Sequence, residues 1–170
     1  MKNFLVSSLF LLSFIVESND IQQGLKQSDD LVMANNKPVV LLGDQIKIGN
    51  TVPDFKVVDK NFSVKTLQDY SGKPLLISVV PSLDTGICSL QTKQFNDNVD
   101  NLPQDITILT ISADLPFAQK RFCQAENIDK IETLSDSVWR DFGMKYGLLI
   151  KDMGLLTRAV LVISPDHKLI

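Results

Sequence analysis

The sequence predicts an α/β fold with a mixed or mainly parallel sheet flanked by helices. Residues 75–80, 106–111 and 159–163 are apolar runs of strand length, the pattern of strands covered on both faces. Helical patterns lie between them, and that alternation is the mark of a sheet with crossover helices. The 170 residues amount to about one domain. An apolar share of 44% against 22% charged is enough for a core and argues against a disordered tail.

Taken in order, residues 1–32 read as a leader or upstream extension and residues 33–170 as the domain. After Lys2, residues 4–16 are apolar apart from Ser7, Ser8 and Ser13. The run is shorter than the roughly 17–25 residues that span a bilayer. It fits the centre of a secretory signal cleaved after Ser18. Met33, opening Met-Ala-Asn-Asn-Lys-Pro, is an alternative start. Residues 39–42 and 45–48 predict a hairpin about Gly43-Asp44. Residues 53–59 and 62–66 predict short strands about Lys60-Asn61, and residues 70–74 a loop. Residues 89–99 predict a helix that buries Leu90, Phe95 and Val99. Asp114, ahead of Leu115-Pro116, predicts a helix start with proline in its first turn, running to about Glu126. Residues 135–146 predict a third helix, ended by Gly147. Its Trp139, Phe142 and Tyr146 follow helical spacing and read as core or interface.

Composition excludes several function classes. A net charge of −3 offers no basic footprint for nucleic acid. Cys88, Cys123 and His167 fall short of the about four ligands of a structural zinc site, so no metal is expected. No glycine-rich dinucleotide motif or phosphate-binding loop is present, so no cofactor is expected. Asp84 and Asp114 read as loop and cap residues.

The chemistry concentrates at Cys88. A buried strand ends at Pro81, a polar loop follows, and a helix begins near Cys88. Unpaired N–H groups and the helix dipole favour an anion there. A thiol so placed has its pKa lowered from about 8.5 toward roughly 3.5–7.5. Thr85, three residues earlier, can aim its hydroxyl at the sulfur. The alternative is a small buried hydrophobe, the commoner fate of a free cysteine.

The motif Pro81-Ser-Leu-Asp-Thr-Gly-Ile-Cys88 resembles the peroxidatic loop of peroxiredoxins. The Thr-Gly-Ile-Cys form and the later block from Ile111-Ser-Ala-Asp to Lys-Arg-Phe-Cys123 resemble the thiol peroxidases, the atypical two-cysteine branch. The similarity runs from about Met33 to the end. It implies a thioredoxin-like fold with an N-terminal β-hairpin. It implies that Cys88 attacks a hydroperoxide and becomes a sulfenic acid, with Thr85 bonding thiolate and peroxide, and Pro81 shielding the sulfur. It implies Arg158 beside the peroxide, although a surface cation at the start of a strand is the equal alternative from sequence. Cys123 is implied as the resolving cysteine, closing a Cys88–Cys123 disulfide that thioredoxin reduces. A static structural disulfide is the alternative. The two cysteines sit on separate predicted helices. Bridging them needs local unwinding, because a disulfide requires Cα atoms within roughly 7 Å. A homodimer is implied around both cysteines, where Phe117 and Phe122 sit. The resemblance also implies a cytoplasmic protein; residues 1–18 acting as a signal would make it periplasmic or secreted. Relatives continue beyond the segment near Lys168 with more strand and a terminal helix, so one sheet edge is expected to be less covered. A redox relay using the same disulfide is the competing function.

Overall fold

The computed structural model describes residues 24–34 and 36–170, so the signal expected over residues 1–18 lies outside the described residues. Two sheets organise the chain. The smaller joins β1 (Gln27–Ala34), β2 (Lys37–Leu42) and β8 (Leu149–Ile150) in the order β1-β2-β8. The larger runs β4-β3-β7-β6-β5-β9, from β3 (Lys56–Asp59), β4 (Val64–Thr66), β5 (Leu75–Val79), β6 (Thr107–Ser112), β7 (Glu132–Ser135) and β9 (Ala159–Ile163). Strands β5, β6 and β7 are parallel, while β3, β4 and β9 run antiparallel to their neighbours. The helices are α1 (Gly86–Asn98), α2 (Pro116–Glu126) and α3 (Asp141–Lys145).

The hairpin lies one strand earlier than predicted. β1 pairs with β2 through Val32↔Val39 and Ala34↔Lys37, across a two-residue connection whose Asn36 has φ 59°. Asn tolerates the left-handed conformation that such hairpin turns demand. Residues 27–32, expected upstream of the domain, are therefore part of a sheet. Residues 45–48 form no strand. Gly43 ends β2 at φ 106°, and a Cβ there would lie 1.8 Å from the Met144 carbonyl oxygen. The Gln45 side chain donates to the Gly147 carbonyl at 2.7 Å, which draws the segment along the end of α3.

The third helix is also shorter than predicted. Residues 132–135 form β7, and only Asp141–Lys145 is helical. Asp136 causes the break: its carboxylate accepts the N–H groups of Phe142 at 3.0 Å and Gly143 at 2.9 Å. Those donors belong to the first turn of α3, which has no earlier helical turn to bond.

The large sheet has unlike faces. Leu75, Ile77, Val79, Leu109, Ile111 and Leu134 pack with Phe55, Phe142, Tyr146, Leu149 and Leu156 in the main core. The opposite face carries Ser78, Thr110, Ser112, Thr133 and Ser135, all buried. Register aligns Ser78 with Thr110, Thr110 with Thr133 and Ser112 with Ser135, forming a polar band. Both α1 and α2 lie on this band: Gln91 bonds Ser78, Gln119 bonds Ser112, and Cys123 contacts Thr133. The inward side of α1 is accordingly Cys88, Thr92 and Asn96, with the predicted Phe95 and Val99 half-buried beside them and only Leu90 outside. Leu90, two residues on from inward-facing Cys88 and so on the other side of the helix, is 56% exposed.

Candidate active site

The loop after β5 is built by hydrogen bonds that end at one carboxylate. Asp114 accepts the Ser82 hydroxyl at 2.7 Å, the Leu83 N–H at 2.7 Å and the Ser112 hydroxyl at 2.8 Å. It caps no helix: Leu115 is the residue that precedes α2. Its role is to tie the loop bearing Thr85 to the end of β6. Thr85 is the residue before α1, and its hydroxyl donates to the Ser82 carbonyl at 3.0 Å. That proton is thereby committed and no Thr85–Cys88 side-chain bond forms, but the oxygen lone pairs remain able to accept.

Cys88 follows in the first turn of α1. The Ser89 N–H is the first to bond back, to Thr85 at 2.9 Å, so the N–H groups of Gly86, Ile87 and Cys88 lack helical acceptors. The Cys88 side chain is 1% exposed and packs with Val80, Leu83 and Phe122. Pro81 is half-buried beside Val80, at the end of β5. Strand β9 brings the last component. Ala159 pairs with Val79, which sets the preceding Arg158 at the mouth of the loop. Arg158 Nη2 donates to Cys88 Sγ at 3.0 Å, and Nη1 donates to Gln91 Oε1. Among the described residues the ion pairs are all lysine–carboxylate, so the guanidinium charge is not neutralised by a carboxylate. A cation against sulfur and open N–H groups behind it stabilise a sulfur anion.

Cys123 lies on α2, 7% exposed, with its sulfur 3.3 Å from the Thr133 hydroxyl. Both cysteines are free thiols. Its neighbour Phe122 lies on the cluster around Cys88, so side chains of α2 already reach the first cysteine. Cys123 borders a separate cavity of about 400 Å³ together with Lys60, Asp129 and Lys130. The structure thus unites Cys88 and Arg158, sets Thr85 and Pro81 on the same loop, and holds Cys123 apart from them. Reading the sequence missed Asp114 as the loop anchor and missed Gln91. The position of Gln91, three residues after Cys88 on one helix face, was the available signal for the second.

A parallel sheet core with antiparallel flanks, and a thiol at a helix start facing an arginine, define a thiol-redox protein of thioredoxin fold. The AhpC/TSA family model matches residues 48–170. A thiol peroxidase of Oceanobacillus iheyensis is 52% identical over 138 residues, covering 81% of this chain and 84% of that protein. The thiol peroxidase of Bacillus subtilis is 47% identical over 133 residues, covering 78% and 79%. A peroxiredoxin-like protein from Aquifex aeolicus superposes with a TM-score of 0.73 at 37% identity, covering 79% of each chain. A thiol peroxidase from Chromobacterium violaceum matches in fold with a TM-score of 0.74 at 24% identity, covering 81% of each chain. The chain belongs to the AhpC/TSA family, the peroxiredoxins.

Proposed function

We propose that this chain is a thiol-dependent peroxidase that reduces hydrogen peroxide and small alkyl hydroperoxides through Cys88. The observation that carries the reading is the Arg158 guanidinium 3.0 Å from the Cys88 sulfur at the start of α1. The thiolate attacks one peroxide oxygen, the O–O bond breaks, and Cys88 becomes a sulfenic acid. The other oxygen leaves as water or an alcohol, taking up a proton. Thr85, its own proton held by Ser82, accepts the peroxide O–H. Arg158 stabilises charge on the attacking sulfur and on the departing oxygen. Pro81 screens the sulfur from water.

In the second half-reaction the Cys123 thiolate attacks the sulfenic sulfur, an S–S bond forms, and the hydroxyl leaves as water. A dithiol protein of the thioredoxin class reduces that disulfide and restores both thiols. The chain acts as a homodimer in the cytoplasm. Ile87 at 72% and Leu90 at 56% exposure on α1, with Leu115 and Phe117 each at 61% at the start of α2, support association.

Peroxide consumption with thioredoxin and its reductase tests the reading. The wild-type chain turns over repeatedly and Cys88→Ser does not, whereas Cys123→Ser reacts once and stalls as a sulfenic acid. Full turnover by Cys88→Ser would overturn the assignment.

A further inference from the structure

Asn96 is a buried amide, 4% exposed, on the same inward side of α1 as Cys88. A buried amide needs partners, and this one finds three of them at the exit of α2. Its Oδ1 accepts the Asp129 N–H at 3.1 Å and the Lys130 N–H at 2.9 Å. Its Nδ2 donates to the Asn127 carbonyl at 3.3 Å and, within α1, to Asp97 Oδ1 at 3.4 Å. The two N–H groups that come before these, of Asn127 and Ile128, both bond the Cys123 carbonyl. The turn that closes α2 is therefore held at one end by Cys123 itself and at the other by α1. The ion pairs Lys93–Glu126 and Lys130–Asp100 flank the amide on the open side, where such pairs contribute little.

Unwinding the last turn of α2 to free Cys123 breaks the bonds to its carbonyl. The bonds to Asn96 do not depend on that turn, so the exit stays on α1 and the freed segment swings from it. Between Asn127 and Cys123 that segment extends to at most about 14 Å. Asn96 lies about 12 Å from Cys88 along α1, at the ordinary helical rise. The two lengths match: a segment pinned at Asn96 brings Cys123 to Cys88 and lets it stray little further.

We infer that Asn96 is a positioning residue for the second half-reaction, the fixed point that keeps Cys123 within reach of the Cys88 sulfenic acid. It rests on the peroxidase reading for the sulfenic acid, but not for the clamp. In the step it serves, the Cys123 thiolate attacks the sulfenic sulfur, the S–S bond forms and the hydroxyl leaves as water. That step competes with a second peroxide, which gives one oxygen to the sulfenic acid, making a sulfinic acid, and leaves as water. Without the clamp the next fixed point is β7, at Glu132. The freed segment then roughly doubles in length, which slows closure about threefold. A merely structural anchor would have the opposite sign, because releasing the exit of α2 would ease unwinding and hasten the bridge.

The test uses the full chain with Asn96→Ala and Asn96→Asp. Rapid mixing with hydrogen peroxide, acid quenching and mass spectrometry follow thiol, sulfenic acid, disulfide and sulfinic acid with time. Asn96→Ala is expected to form the sulfenic acid at the wild-type rate, to close the disulfide about threefold more slowly, and to gather more sulfinic acid. Asn96→Asp keeps the two N–H contacts, sets an oxygen against the Asn127 carbonyl, and falls between the two. A second arm needs no peroxide. Cys88 attacks a nitrobenzoate disulfide and releases one coloured thiolate; Cys123 then displaces the second from Cys88 and closes the same bridge. Asn96→Ala slows the second release by the same factor and leaves the first unmoved. An unchanged or faster second release, or equal slowing of both, overturns the proposal. Should Asn96→Ala fail to fold, Asn96→Asp decides, and a wild-type second release there overturns it. A wild-type chain that consumes no peroxide, while the second release still slows in Asn96→Ala, sinks the peroxidase reading alone.

Discussion

Asp114 shows how much of the site hangs on a single side chain away from the sulfur. Its two oxygens take three hydrogen bonds from Ser82, Leu83 and Ser112, and Ser82 in turn holds Thr85. Asp114→Ala leaves the Leu83 N–H and two hydroxyls without their acceptor, at a cost of about 1–3 kcal/mol for each group left buried and unpaired. The loop then samples other arrangements, and peroxide reactivity should fall by about tenfold or more, with Cys88 alkylation by iodoacetamide largely kept. Stopped-flow peroxide kinetics beside the alkylation rate checks this. An equal loss in both would place Asp114 in general stability instead. Cys88 and the loop around it were legible in the sequence because a local motif encodes them. Asp114 was misread as a cap because aspartate before a Leu-Pro helix start fits both roles, and only the fold brings Ser82 to it. Gln91 escaped notice because its partners, Ser78 in β5 and Arg158 just before β9, meet it only in the fold.

At the scale of elements, the apolar runs identified β5, β6 and β9 because each buries an apolar side against the main core. β7 was not predicted, and its last residue Ser135 was read into the third helix, because Glu-Thr-Leu-Ser is short and carries only one large apolar residue, Leu134. The division between β7 and α3 depends on Asp136, and it carries a pH signature. Burial raises its carboxyl from 3.8 to about 7, against the opposing pull of the Gly143 and Phe142 N–H groups and the Arg140 charge. The folded chain thus keeps a proton that the unfolded chain releases near its ordinary value. The stabilisation from that proton is full below about pH 4 and is lost as pH rises through about 7. Urea unfolding midpoints are expected to decline from this group between pH 4 and 7, and Asp136→Asn should flatten the decline while lowering stability overall, because an amide satisfies only one of the two N–H donors. An unchanged slope in Asp136→Asn would show that another group governs it.

Across the whole molecule, the large sheet divides its labour. One face holds the aromatic and aliphatic core with Phe55, Phe142 and Tyr146 in mutual edge and stacked contacts. The other carries the two helices that bear the cysteines, resting in part on hydroxyls, with Thr110 Oγ1 and Gln119 Oε1 buried there and without a hydrogen-bond partner among the described residues. Buried polar groups without partners weaken the layer that contains them. Native-state hydrogen exchange should therefore show α1 and α2 opening at lower free energy than β5 and β6. Equal protection in helices and strands would contradict this. The resemblance gave the fold. It gave no hint of the polar band that Ser78, Thr110, Ser112, Thr133 and Ser135 form beside Ile108 on the helix side, because each strand read alone is a nearly continuous apolar run.

That division also sets a thermal character. Lifting α1 and α2 wets the hydroxyls of that band as well as Ile108, Val80 and Leu83, so the motion carries a smaller heat-capacity change than opening the main core. Its free energy should curve less with temperature than the stability of the whole chain. On cooling, the grip of a greasy hinge would fade along with hydrophobic attraction. A layer resting in part on hydroxyls is spared part of that drift, and lifting the two helices changes less in cost between a cold cell and a warm one than opening the main core does.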